Sequence, residues 1–102
     1  MESINRGDIY YVDFGYGVGS EQGGSRPAIV LQNNKGNYYA PTVMVAPITT
    51  AKKHRLPTHV TIFPDAGVKE TSIALYEQVM TIDKTRLLKK IGHKTMTHWD
   101  DR

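Results

Sequence analysis

With 102 residues the chain has room for one compact domain and none for a second. Thirteen Lys and Arg against ten Asp and Glu leave a net charge of +3, a mild basic bias that suits a phosphate-bearing partner without requiring one. The lack of cysteine excludes disulfides, thiolate zinc sites and cysteine nucleophiles; with no signal-peptide core and no run of ~20 apolar residues, a soluble, cytoplasmic protein off the membrane is expected.

In chain order, Ile9 to Phe14 reads as a first strand, with Tyr10, Val12 and Phe14 on one face and Ile9, Tyr11 and Asp13 on the other. The stretch Gly15 to Ser25 holds five of the nine glycines and reads as a long functional loop. Pro27 to Gln32 (PAIVLQ) and Thr42 to Ile48 (TVMVAPI) are nearly continuous apolar runs rich in β-branched residues, which predicts two central, buried strands. Thr58 to Phe63 alternates, and the β-branched trio Thr58, Val60 and Ile62 is expected to face inward, leaving His59, Thr61 and Phe63 outside.

Ser72 to Ile82 reads as one long strand or two pieces. Asp83 is expected to cap a helix through KTRLLKKI to Ile91, with Lys89 and Lys90 complementing the helix dipole and Gly92 ending it. The pattern predicts a mainly β domain with short helices, a barrel or sandwich, spanning residues 1–102 without repeats or a linker.

Two segments carry chemistry. GYGVGSEQGGSRP, Gly15 to Pro27, sets Glu21 and Arg26 on either side of Gly23 and Gly24. Without a Gly-Lys-Ser/Thr ending and a helix to follow, it is not a triphosphate loop. In VAPITT, Pro47 inside a strand signals an edge or a bulge, a device that re-aims side chains; Thr49 then points into a pocket, or else Thr49 and Thr50 simply end the strand. Of the four histidines, His54 and His59 are five apart, as are His93 and His98. That offset splits them across a strand, or rotates them by ~140° on a helix, so no metal site is expected.

The segments RGDIYYVDF, GSEQGGSRPAIVLQN, PTVMVAPITT, LPTHVTI and ALYEQVMTID, in this order over about residues 6 to 91, resemble the MazF/PemK family of toxin endoribonucleases. The resemblance implies an SH3-like small β-barrel, a homodimer, and cleavage of single-stranded RNA within short motifs without a cofactor. It also implies an antitoxin partner, expected to be a disordered, acidic and partly apolar segment. Matched position by position, the family's essential arginine falls on Arg26, its active-site threonine on Thr49 and its loop glutamate on Glu21. Family members usually continue through a longer C-terminal amphipathic helix, whereas this sequence stops at Arg102.

RNA carries its own nucleophile, the 2′-hydroxyl, so positioning and charge stabilisation suffice to break the strand. Arg26 suits the phosphate because its planar fork donates two hydrogen bonds and stays charged. Glu21 is expected to take the 2′-hydroxyl proton and Thr49 to donate to a non-bridging oxygen. Tyr16 is expected to stack on an unpaired base. Ser20 and Gln22 of the same loop, with Asn33, His59, Glu77 and Gln78, are expected to contact RNA, Gln78 matching the family's EQ element. Two rival classes share the fold expectation: a toxin that binds DNA gyrase without cleaving nucleic acid, and an inactive RNA-binding module. The pairing of Arg26 with Thr49 favours the nuclease.

Overall fold

The computed structural model describes residues 3–15, 24–50 and 56–96. In chain order it contains β1 (Asp8–Asp13), β2 (Ser25–Val30), α1 (Asn34–Tyr39), β3 (Thr42–Thr49), β4 (His59–Ile62), β5 (Ser72–Leu75), β6 (Met80–Asp83) and β7 (Leu87–His93). Three 3-10 turns, Pro64–Ala66, Tyr76–Gln78 and Lys84–Arg86, link the later strands. All strand pairings are antiparallel, in the order β4-β5-β3-β2-β1-β7, with β6 added to β3. The architecture is mainly β with short helices, as expected, but the seven-stranded sheet is open: β4 and β7 end the path and do not pair with each other.

Why β1, β2 and β3 read as apolar runs is plain from where their two faces go. Ile9, Ile29, Ala46 and Ile48 enter one core cluster, while Tyr10, Val12, Phe14, Ala28, Val30, Val43 and Val45 enter the other. Strands buried on both faces lose the polar half of the alternation. Ser72 to Ile82 resolves into two strands, β5 and β6, separated by the Tyr76–Gln78 turn.

β3 is the hub. On one side it pairs with β2, at Val45 to Pro47. On the other it pairs first with β6, from Thr42 to Val45, and then with β5, at Ile48 and Thr49. Pro47 lies in the gap between those two partners, so its missing N–H leaves no ladder bond unmade. Pro47 is thus locally unpaired on its N–H side, as at an edge, and no bulge occurs on its other side, where the register with β2 is unbroken up to it.

The helix expected from Lys84 to Ile91 is not formed. After the Lys84–Arg86 turn the chain runs as β7 against β1, and Asp83 makes no side-chain cap hydrogen bond. Two bulges explain the misreading: Lys89 and Leu87 pair with the successive residues Tyr11 and Val12, and Gly92 and Lys90 with Ile9 and Tyr10, leaving Leu88 and Ile91 as inserted residues. Leu87 and Ile91 thus stand four apart on a strand, the spacing of a helix face.

A helix forms instead at α1, where no apolar stripe announces one. Asn33 caps it, its side chain accepting from Gly36 N at 2.8 Å, an arrangement worth ~1 kcal/mol. Asn37 Nδ2 donates to Gln32 O at 2.9 Å, and Lys84 Nζ donates to Asn37 O from across the fold. Among the described residues no helix is long and apolar enough to cross a membrane.

Candidate functional site

Arg26 and Thr49 line one cleft just past the end of the β2–β3 ladder. Leu31 N donates to Met44 O at 2.9 Å, so in this antiparallel register the hydrogen-bonded pairs alternate through Ile29–Ala46 to Pro27–Ile48. Pro27 has no N–H for that last pair, and the recorded pairing ends at Ala28–Pro47. Beyond it β2 continues only with β1, Arg26 opposite Val12, and β3 continues only with β5, Thr49 opposite Ile73. The cleft, of about 190 Å³, lies at this end of the two strands.

Arg26 and Pro27 line it from β2, with Ile48, Thr49 and Thr50 from β3 and its end, and Tyr11 of β1 lies opposite Pro27. A further wall comes from Gly67, Val68, Lys69 and Glu70, with Ser72 of β5 and Ile91 of β7. Arg26 is half-buried, and the ion pairs among the described residues, His59–Glu77, Lys90–Asp8 and His93–Asp8, do not include it. Its charge lies in a partly desolvated cleft, where it acts more strongly than in bulk water. A guanidinium and a hydroxyl lining one cleft are groups that can hold a tetrahedral oxyanion such as phosphate.

The remaining candidates are not all brought to this cleft. Tyr16, Ser20, Glu21 and Gln22 lie outside the described residues. Asn33 sits beyond the opposite end of β2, seven residues or roughly 20 Å from Arg26, with its side-chain oxygen already used in capping α1. A larger hollow of about 400 Å³ near it, between the segment Ser3 to Asn5, α1 and Lys84, contains none of the candidate residues.

His59 corrects an expectation: it is 6% exposed rather than outward-facing. Leu56 N donates to its Nδ1 at 3.3 Å, which leaves the proton on Nε2, 3.1 Å from Glu77 Oε2. Thr58 Oγ1 donates to Glu77 Oε1 at 3.0 Å. The β-branched trio does not bury as a set either, because Thr58 is exposed and Val60 half-buried, while Phe63 is exposed. β4 is an end strand whose His59 side is covered by the Tyr76–Gln78 turn, and that cover overrides the alternation.

Burial alone would raise the Glu77 carboxyl, but hydrogen bonds from its own backbone N–H, His59 and Thr58 outweigh it and hold it below the usual carboxylate range. Glu77 and Gln78 are exposed on the turn after β5, at the end of that strand away from Ser72. Sequence reasoning missed Tyr11, Lys69, Glu70 and Ser72 as cleft residues. Nothing local marks them, since only strand pairing brings them there. Among the described residues no group of three or more His, Asp or Glu side chains could hold a metal ion.

Comparison with known proteins agrees with the fold. The chain is 51% identical over 94 residues to Endoribonuclease EndoA of Bacillus subtilis (strain 168), covering 88% of this chain and 79% of that one. It is 47% identical over 90 residues to Endoribonuclease MazF of Staphylococcus epidermidis, covering 86% and 75%. A solved endoribonuclease from a Mycobacterial species, in complex with its cognate antitoxin, superposes with a TM-score of 0.72 at 26% identity, covering 93% of this chain and 80% of that one. The profile described as PemK-like, MazF-like toxin of type II toxin-antitoxin system matches residues 5–101, and the chain belongs to that family.

Proposed function

We propose that the chain is the endoribonuclease toxin of a type II toxin-antitoxin pair and that it cuts single-stranded RNA in the cleft at the end of the β2–β3 ladder. The observation that carries this reading is the convergence of Arg26 and Thr49 on one cleft, on a chain whose relatives are named endoribonucleases. Arg26 binds the scissile phosphate and stabilises the charge that builds on it, and Thr49 donates to a non-bridging oxygen. Glu21, assigned by resemblance, accepts the 2′-hydroxyl proton. The 2′-oxygen then bonds to phosphorus, the bond to the 5′-oxygen breaks, and that oxygen takes up a proton. The products are a 2′,3′-cyclic phosphate and a 5′-hydroxyl, reached without activated water or a metal.

Bases flanking the cut are read by Tyr16, Ser20 and Gln22 of the loop and by Gln78 and Glu77, with buried His59 acting through Glu77; Asn33 would meet RNA only well away from the cut. The relative solved with its cognate antitoxin supports a similar partner here, a disordered acidic segment competing for the same groove. The working toxin is a cytoplasmic homodimer.

The test is incubation of purified protein with a long unstructured RNA in EDTA, with Arg26→Ala alongside. Cleavage leaving 5′-hydroxyl ends is expected, and the variant should lose ~10²-fold or more of turnover while RNA binding weakens much less. Products with 5′-phosphate ends would overturn the mechanism. Intact RNA would return the chain to the class of non-cleaving toxins.

A further inference from the structure

The segment Gly67 to Glu70 is held against the rest of the fold more firmly than a surface turn needs to be. Gly67 adopts φ +114°, and a Cβ built on it would fall inside the carbonyl oxygen of Ile91 on β7. Reciprocally, a Cβ on Gly92 would fall inside the carbonyl oxygen of Ala66. Two glycines thus let backbone dock on backbone. Val68, 7% exposed, is anchored in the core beside Ile9 and Ile48, and Ser72 Oγ donates to Glu70 O at 2.7 Å. Between these anchors stands Lys69, exposed, lining the same cleft as Arg26 and taking part in none of the ion pairs among the described residues.

We propose that Lys69 is a second phosphate contact of the cleft, holding the RNA backbone next to the phosphate bound by Arg26. This rests on the reading of the cleft as an RNA site and names a residue that reading does not include. Arg26, Lys69 and Glu70 are the only charged residues lining the cleft among the described ones. Without Lys69, Glu70 would cancel the charge of Arg26 and leave the lining neutral. An ammonium on a flexible stem acts as a point charge and suits a phosphate whose orientation is unimportant to the chemistry, whereas the planar fork of Arg26 suits the phosphate that reacts. Lys69 therefore contributes to binding and not to the chemical step.

The experiment is binding of a mixed-sequence 2′-O-methyl RNA, which cannot be cleaved, measured by fluorescence anisotropy over a range of KCl concentrations. Each lost phosphate contact lowers the slope of log K against log salt by ~0.7 for a single strand. Lys69→Gln should lower the slope by that amount and Lys69→Arg should restore it. Lys35→Gln, which alters an exposed lysine of α1 outside the cleft, should leave it unchanged. If Arg26→Ala lowers the slope and Lys69→Gln does not, this proposal falls while the RNA-site reading stands. If neither variant changes it, both fall.

Discussion

Arg26 and Thr49 stand just past the last paired residues of β2 and β3 and line one cleft, with Pro27 beside Arg26. The pair Pro27–Ile48 lacks the bond that a Pro27 N–H would make. Pro27→Ala would supply the missing N–H and let Pro27–Ile48 pairing extend the ladder. The added bond is worth ~1 kcal/mol, and the freed unfolded chain costs ~0.4–1 kcal/mol, so stability should hardly move. RNA cleavage should fall at least tenfold as the added pairing narrows the cleft. A thermal melt with initial rates decides it, and a fully active variant would show that the cleft does not depend on the missing bond.

The docked glycines predict unequal costs for one substitution. Gly67→Ala and Gly92→Ala each force backbone apart and should destabilise by ~3 kcal/mol or more in urea unfolding. Gly24→Ala, at φ +89° with nothing within 4 Å of the new Cβ, should cost only ~1–2 kcal/mol. Equal effects at all three positions would mean that the Ala66–Gly67 turn is not seated on β7.

Glu77 makes stability depend on pH. Its carboxyl is depressed in the folded chain, so the unfolded chain binds the proton first as pH drops. The contribution is whole above the ordinary value of ~4.3 and is lost as pH falls through the lower folded value. Glu77→Gln should lower stability at neutral pH and flatten its decline below pH ~4.3. An unchanged acid limb in denaturant titrations at successive pH values would contradict the His59–Glu77 contact.

Asp8 is 1% exposed and accepts from Asn5 N at 2.9 Å, with His93 Nδ1 at 2.8 Å and Lys90 Nζ at 3.4 Å, both from β7. Each of the two β7 side chains covers for loss of the other. Lys90→Met and His93→Phe should each cost ~1–2 kcal/mol, whereas the double variant should cost ~3–5 kcal/mol, more than their sum, because it strips the buried carboxylate of both β7 partners. Additive losses would show that the two act separately.

These groups also show which features could be read before folding. β1, β2 and β3 were legible because burial on two faces writes itself as β-branched runs. β7 was not, because inserted Leu88 and Ile91 give a strand a helical spacing, and the choice between them is made by the free edge of β1. α1 depends on Asn33, Asn37 and a lysine 47 residues away, none of which leaves a periodic trace. Arg26 and Thr49 stood out through resemblance, and the continued register explains why both lie at one end of the ladder. Lys69 and Glu70 had no local mark, since their place follows from the fit of Gly67 against β7.

The pairing of Asp8 with His93 also sets an order in time. β1 leaves the ribosome early, yet its second neighbour is one of the last strands made, and Ile91 of that strand lines the cleft. Contacts so distant along the chain close slowly and only once both ends exist. A nascent chain therefore carries Arg26 and Thr49 long before it has a finished cleft around them.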